Sequence, residues 1–409
     1  MNGEVVNSSL SRLLEPHTAE EFLASSWGKT YKHIRGRAGR FASLLPWERL
    51  NDILRQHRLD FPRLRLMREG KSLPVTSYLR HTSGARGKTS TARLQPVKFT
   101  SQLRAGATLV LDAVDELHTP LEELAAGLEL LFRERVQINS YAGWHTSRGF
   151  DLHWDDHEVF ILQVVGRKRW RIYGETRPHP LAGDTANPKP ENAPPLWEAT
   201  LEDGDFLYIP RGWWHVAEPL NEPTLHLTVG IHNRTGIDLL QWLGGHLRAS
   251  ETFRQDLPRF ASPAERAAHA ARLKEVLLDA WDETLLERYF SELDALAEPR
   301  AQLSLPWSAA MAGQGVVIPP DQNALVRLLA PRPLNLKLAA GVVEFSCHKK
   351  RWRFAADALP ILRRLADGRE CSVAELCEAA QEEHLDEGTV RVFLGELLRH
   401  GLIAVVFKA

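Results

Sequence analysis

The sequence predicts a β-rich barrel or sandwich in the middle of the chain, flanked by helical segments. Three observations predict it. From Arg135 to His232 the chain breaks into short β-like runs punctuated by Gly and Pro, the texture of many short antiparallel strands. After residue 236 the apolar period becomes helical. A chain of 409 residues is also longer than one compact domain usually is. The expected division is a mixed α/β lead-in over 1–100, a β core over 101–236, a helical region over 237–300 and a further unit over 301–409.

Composition narrows the classes. With 44% hydrophobic and 25% charged residues the chain reads as an ordinary globular protein. Lys+Arg 51 against Asp+Glu 52 excludes a chain-wide polyanion-binding surface. Three cysteines, Cys347, Cys371 and Cys377, without a paired CxxC spacing argue against a disulfide framework and for a reducing compartment. No apolar run approaches the roughly 18 residues of a membrane span, and the first residues lack the features of a secretory leader, so a cytoplasmic protein is expected.

Taken in order, Glu20–Leu23 and Leu44–Leu50 read as short helices and Leu64–Met67 as a strand. A helix is expected at Thr119–Phe132, with Thr119 as N-cap, Pro120 in the first turn and Glu122 completing a capping box. The expected strands are Val136–Tyr141, Val159–Val165, Trp170–Tyr173, Phe206–Ile209 and Thr224–Ile231. Val159-Phe160-Ile161-Leu162 is apolar on both faces and so should be covered on both. Six prolines between Pro178 and Pro195 mark an irregular insertion. Ser262-Pro263-Ala264-Glu265 is a capping box that opens a helix carrying Leu273, Val276, Leu277 and Trp281, and Leu285–Leu296 continues the apolar stripe. Three short helices at Leu359–Leu365, Val373–Ala380 and Thr389–His400, then a strand over 401–406, follow the order of a winged helix.

Chemistry is concentrated in His153-Trp154-Asp155-Asp156-His157 and, 62 residues after His153, in Pro210-Arg211-Gly212-Trp213-Trp214-His215. Residues two apart on a strand share a face, so His153 and Asp155 can present an imidazole and a carboxylate to one point. A distant histidine would complete a 2-His-1-carboxylate face, which leaves three positions of an octahedral iron(II) open. Alone, the motif is weak: His384-Leu385-Asp386 repeats it in a helical setting.

The stretch His153–Tyr173, together with the Pro-Arg-Gly-x-x-His signature at 210–215 and His226-Leu227-Thr228, resembles the ribosomal oxygenases, JmjC-type protein hydroxylases of the cupin superfamily. The resemblance implies a double-stranded β-helix, a helical dimerisation region and a C-terminal winged helix. It implies Fe(II) on His153, Asp155 and His215, with 2-oxoglutarate and dioxygen as cosubstrates. Lys168 takes the position of the cation for the distal carboxylate; its bland reading is a solvated turn lysine, and Arg148 or Arg171 is the fallback anchor. Asn139 and Thr228 are the further cosubstrate residues. Tyr141, Trp144, Arg148 and Trp214 are the substrate residues, and Trp214 has core packing as its alternative. Gly230 departs from relatives with a hydroxyl residue there. His157, His226 and His232 are read as hydrogen-bonding neighbours rather than ligands.

By resemblance the substrate is a histidine or arginine of a ribosomal protein. A tailoring hydroxylase of a ribosomally made peptide natural product or a small molecule is the near alternative. A non-enzymatic cupin serving as a binding or scaffold protein is the alternative of another class. A homodimer is expected through the helical region. Duplex DNA is not expected as a partner, because ten basic and ten acidic residues between Lys349 and Lys408 give no basic excess.

Overall fold

The structure is a computed structural model and describes residues 8–83, 90–184, 188–190, 193–309, 318–366 and 368–407. Prolines 188, 190, 194 and 195 of the insertion are described, and residues 185–187 and 191–192 within it lie outside. The chain forms two compact units that part between Asn233 and Arg234.

In the first unit the strands are β1 (Lys32–Ile34), β2 (Leu64–Arg68), β3 (Lys71–Ser72), β4 (Leu79–Ser83), β5 (Ser90–Leu94), β6 (Thr108–Leu111), β7 (Val136–Gly143), β8 (Glu158–Val165), β9 (Lys168–Gly174), β10 (Trp197–Leu201), β11 (Phe206–Ile209), β12 (Trp214–Pro219) and β13 (Thr224–Ile231). Eight of them build a large sheet in the order β1-β11-β8-β13-β7-β6-β2-β3, and β10-β9-β12 form a small one. The pairings within both are antiparallel. Within the first hundred residues, β1, β2 and β3 join the same sheet as the core strands.

Alternation decides which side chains reach the interior. Along β8, Phe160, Leu162 and Val164 join the large core, which is shared with Leu121, Leu124, Ala125 and Leu128 of the helix Thr119–Phe132. Val159 and Ile161 turn the other way, into a smaller core with Trp170, Ile172, Leu207 and Ile209. The strand is covered on both faces, which is why it reads as an unbroken apolar run. The same alternation sends Leu225, Leu227, Val229 and Ile231 of β13 into the large core, leaving His226, Thr228 and Gly230 on the inward face.

Two helix starts differ from expectation. The helix Thr119–Phe132 is capped by the backbone of His118, whose carbonyl accepts from Leu121 and Glu122, and no side-chain capping bond forms. Pro120 has no N–H to offer, so the first turn has one fewer donor to satisfy. The second N-terminal helix runs Trp47–Gln56, with Leu44 and Leu45 in the turn before it. At Ser262 the predicted capping box is formed, Ser262 Oγ accepting from Glu265 N at 3.3 Å and Glu265 from Ser262 N at 2.8 Å.

The second unit holds helices Gly236–Leu247, Pro263–Ala280 and Leu285–Leu296, whose Leu239, Leu243, Leu285 and Tyr289 make a small core. It continues with β14 (Leu325–Leu328), β15 (Lys337–Ala339), β16 (Val342–Cys347), β17 (Lys350–Ala355), β18 (Cys371–Ser372) and β19 (Ile403–Val406). The helices Leu359–Leu365, Val373–Ala380 and Glu387–Arg399 pack on the sheet β18-β14-β19, and β15-β16-β17 form a separate sheet. Lys349 N donates to Ala295 O at 2.9 Å, and Arg332 lies 3.7 Å from Asp294, tying the helices to this module. No helix among the described residues is long and apolar enough to cross a membrane.

Candidate metal centre and anion pocket

His153 and His215 come together through backbone pairing. His215 N donates to His153 O at 2.8 Å and His153 N to His215 O at 3.1 Å, although 62 residues separate them. The turn before His215 is fixed at Gly212, whose φ of +84° suits a residue without a Cβ. Its N–H donates to Asp155 O at 2.9 Å, locking the two ligand-bearing segments together. One ligand atom from each of His153, Asp155 and His215 lies within 4.8 Å of the others, and His215 Nε2 is 3.4 Å from Asp155 Oδ2.

The tautomers follow from the second nitrogens. His153 Nδ1 donates to Asp151 O at 2.8 Å and His215 Nδ1 to Trp213 O at 2.9 Å. A carbonyl only accepts, so both Nδ1 atoms carry the proton and both Nε2 lone pairs are free. Burial pushes the His215 imidazole down to about 4, keeping it a neutral ligand. The Asp155 carboxyl is held below its usual range: burial opposes its ionisation, and the charge that His215, His153 or His157 carries when protonated favours it. Two neutral imidazoles and one carboxylate with an open face are the donor set that suits a non-haem iron(II).

Asp156, His157 and His232 also bring three ligand atoms within 4.8 Å of one another. Their rings stack in parallel, 4.6 Å apart at 6°, so the in-plane lone pairs of His157 and His232 run alongside each other instead of converging. That geometry does not make a second metal site.

Deeper in the barrel lies a cluster of unsatisfied polar atoms. Lys168 is 8% exposed, and its ammonium has no carboxylate or other hydrogen-bond partner among the described residues. Burial drives its pKa down to about 7. The buried Trp170 Nε1, His226 Nδ1 and Gln163 Oε1 also lack partners. Trp170 lines both groups: Lys168 Nζ is 5.6 Å from its ring, and its ring stacks 6.1 Å from His215. Unpaired buried polar groups are costly and uncommon, and a cation beside an N–H donor fits a carboxylate. Arg171 and Arg148 are committed elsewhere, lying 3.1 and 3.6 Å from Glu218.

Asn139, Tyr141, His226 and Thr228 share the inward face, Asn139 opposite Thr228 and Tyr141 opposite His226. Asn139 Oδ1 accepts from Ala113 N and Gln137 Nε2, both at 2.9 Å, which leaves its amide N–H groups toward Tyr141 and the pocket. Tyr141 stacks on His226 at 4.9 Å, and burial, with the charges of Asp112 and Asp155, holds its hydroxyl protonated. The structure buries Trp214 and leaves Trp144 half-buried. Trp144 packs on Trp47 at 5.8 Å against the large core, and Trp214 is 4% exposed with Nε1 donating to Thr176 Oγ1 at 2.9 Å. Arg148 stands at the surface on Glu218. Phe150, not singled out in the sequence, bridges Tyr141 and His153, 5.8 Å from each ring.

Gly230 has a steric explanation. A Cβ there would lie 2.4 Å from His157 Cδ2 and 2.5 Å from Nε2, so the missing side chain makes room for an imidazole. The place a hydroxyl residue would fill holds the edge of His157 instead.

An antiparallel barrel carrying this triad on one end is the architecture of a cupin-type JmjC domain, and residues 118–239 match the JmjC domain family model. A JmjC domain therefore spans residues 118–239, and the chain is similar to ribosomal oxygenases. It is 30% identical over 236 residues to the bifunctional lysine-specific demethylase and histidyl-hydroxylase NO66 of Drosophila pseudoobscura pseudoobscura, covering 56% of this chain and 24% of that protein. It is 31% identical over 230 residues to ribosomal oxygenase 1 of Gallus gallus, covering 54% of this chain and 36% of that one. The chain thus spans well under two thirds of the length of these relatives. In fold it is similar to YcfD, a ribosomal oxygenase from Escherichia coli, with a TM-score of 0.55 at 18% identity, covering 96% of this chain and 99% of YcfD. A YcfD structure in complex with cobalt and 2-oxoglutarate matches with a TM-score of 0.54 at 18% identity, covering 95% and 98%.

Proposed function

We propose that the protein is an Fe(II)- and 2-oxoglutarate-dependent oxygenase that hydroxylates a polypeptide side chain, a histidine or arginine of a ribosomal protein. The observation that carries this reading is the buried, unpaired Lys168 behind an open 2-His-1-carboxylate face. A binding module has no need of both. The names of the relatives, histidyl-hydroxylase and ribosomal oxygenase, support the substrate class.

His153, Asp155 and His215 would hold the iron, and the Nδ1 bonds of the two histidines to backbone carbonyls keep the ligand nitrogens aimed. Lys168 pairs with the distal carboxylate of 2-oxoglutarate, and Asn139 and Thr228 line its path. When bound, iron and 2-oxoglutarate activate dioxygen, 2-oxoglutarate leaving as succinate and carbon dioxide while one oxygen atom enters a substrate C–H bond. Tyr141 and Phe150 border the space beside His153 where that side chain enters. The free thiols Cys347, Cys371 and Cys377 support a reducing, cytoplasmic setting.

The test is anaerobic addition of Fe(II) and 2-oxoglutarate, expected to give the weak visible charge-transfer band of this class, followed by aerobic incubation with ribosomes and mass spectrometry for a one-oxygen gain. A band with oxygen gained only on other peptides would move the substrate to peptide tailoring. Absence of both band and succinate would leave a cupin without this activity.

The helices between 236 and 296 support a homodimer. Leu278, Trp281, Leu286 and Phe290 remain 57%, 48%, 53% and 48% exposed after the helices have packed on one another. Apolar side chains clustered in this way call for a partner surface. Sedimentation at micromolar concentration is expected to give a dimer. The C-terminal module, read as a winged helix, is expected not to bind duplex DNA: β19 pairs with β14, a strand that precedes the helices, so no wing joins these strands. The helix that would enter a groove, Glu387–Arg399, begins with Asp386 as its cap and Glu387 in its first turn.

A further inference from the structure

The even charge of the C-terminal segment hides a separation. Between 349 and 369 seven basic residues stand against two acidic ones, whereas between 370 and 408 three stand against eight. Two of those seven, Arg351 and Arg353, stand on one face of the sheet β15-β16-β17, where Lys337 from outside the segment joins them. In its register Lys337 lies opposite Glu344, Glu344 opposite Arg353, and Ser346 opposite Arg351. Directly paired residues point to the same side, so Lys337, Arg351 and Arg353 share one face. The rest of that face is Ala339, Val342, Ser346 and Ala355, small or aliphatic, with Glu344 as its single acid.

The opposite face carries Val343, Phe345 and Cys347, which enter the core of the module. The cationic face is therefore the outer one, and the Arg351 and Arg353 side chains are 70% and 66% exposed. Both arginines reach Glu344, Arg353 at 2.8 Å. One carboxylate thus aligns two guanidinium groups while neutralising one charge. With Lys337 counted, the face keeps an excess of two positive charges.

We propose that this outer sheet face binds the phosphate backbone of a single-stranded RNA segment. Charge complementarity argues for a polyanion, and the shape argues for a single strand. The face is built of three strands and has no helix of its own to enter a duplex groove. Arg351 and Arg353 stand two apart on one strand, and their guanidinium groups meet at Glu344, so the cations of this face form one small patch. Arg in particular suits phosphate, because its planar fork offers paired donors. The choice of RNA over single-stranded DNA rests on the ribosomal substrate read above; the backbone contact itself does not.

The experiment uses the full chain and a fluorescein-labelled oligouridine of about twenty nucleotides, followed by anisotropy as KCl rises from about 50 to 200 mM. The expected result is saturable binding with a log–log salt slope near −2, from about three phosphates neutralised on a single strand. Lys337→Gln/Arg351→Gln/Arg353→Gln is expected to weaken binding about tenfold at the lower salt. Arg266→Gln/Lys274→Gln, the removal of two cations on the helix Pro263–Ala280, leaves it unchanged. The thermal midpoint and succinate formation of the triple variant report its folding, since none of its positions lies in the oxygenase site. Should that variant unfold, Lys337→Glu alone, which breaks no ion pair among the described residues, takes its place and is expected to weaken binding and make its loss with salt shallower. No binding at the lower salt, binding equal in wild type and variant, or preference for an RNA duplex over oligouridine would overturn the proposal. So would binding to anionic phosphatidylserine vesicles without binding to oligouridine. Succinate formation is scored separately, so loss of the oxygenase reading and loss of this one are told apart.

Discussion

The chain contains His-x-Asp twice, and the two copies are built from the same residues to different ends. At His153-Trp154-Asp155 the segment precedes β8 and pairs with the strand bearing His215, which supplies a third ligand atom within 4.8 Å. At His384-Leu385-Asp386 the histidine ends a short 3-10 turn with φ +58°, and Asp386 caps the helix Glu387–Arg399, accepting from Thr389 N at 2.7 Å. Its carboxylate is spent on a backbone donor. What separates the copies is the neighbour brought from elsewhere in the chain.

The comparison breaks most sharply when the two aspartates are exchanged for alanine. Asp155→Ala is expected to abolish succinate formation and iron retention, because two protein donors do not hold the metal in its open geometry. Asp386→Ala is expected to leave both at wild-type levels and to lower the thermal midpoint slightly through loss of the cap. Wild-type turnover in Asp155→Ala would remove the metal assignment.

Lys168 sharpens it further, since only the first copy has a buried cation behind it. Lys168→Ala is expected to raise the KM for 2-oxoglutarate about tenfold or more, the equivalent of a charge-assisted hydrogen bond of roughly 1.5–3 kcal/mol, with little change in iron affinity. A normal cosubstrate titration in this variant would move the anchor elsewhere.

The same lysine sets a pH dependence. Burial lowers its folded pKa from 10.5 to about 7, so the amine that a carboxylate needs charged becomes neutral as pH rises. The KM for 2-oxoglutarate is expected to climb above pH 7, by up to about tenfold per unit, measured from initial rates at saturating iron. Stability without cosubstrate runs the other way. Between about 7 and 10.5 the unfolded chain binds a proton that the folded one does not, so rising pH through this window favours the fold. A KM flat from pH 7 to 9 would show that Lys168 does not carry the carboxylate.

The smallest effect concerns packing beside Asp155. Gly230→Ala places a methyl on the His157 ring and is expected to cost about 1–3 kcal/mol of stability, as overpacking does. His157→Ala in the same chain should recover most of it by emptying that space, and denaturant melts of the single and double variants measure the recovery. An unchanged midpoint in Gly230→Ala would place the imidazole elsewhere.

Local pattern settled much about this protein. Period-2 alternation and the unbroken apolar run mark β8 and β13, and the spacing of leucines marks the helix Thr119–Phe132 and the pair that follows 262, because these signals depend only on which neighbours share a face. His153, Asp155 and His215 were legible because their spacing matches a known motif. Tertiary structure alone decided the rest. The strands β1, β6, β10 and β12 show no period that declares itself, and register comes from partners as far as 176 residues away, as in Lys32 opposite Tyr208. Trp214 looks like a rim aromatic in the sequence, yet it is 4% exposed, since an indole's burial depends on what folds over it. The orphaned Trp170 and His226 nitrogens, the imidazole admitted by Gly230 and the cationic sheet face within a neutral segment arise only when distant strands meet. Composition sums charge along the chain, and only the fold separates it in space.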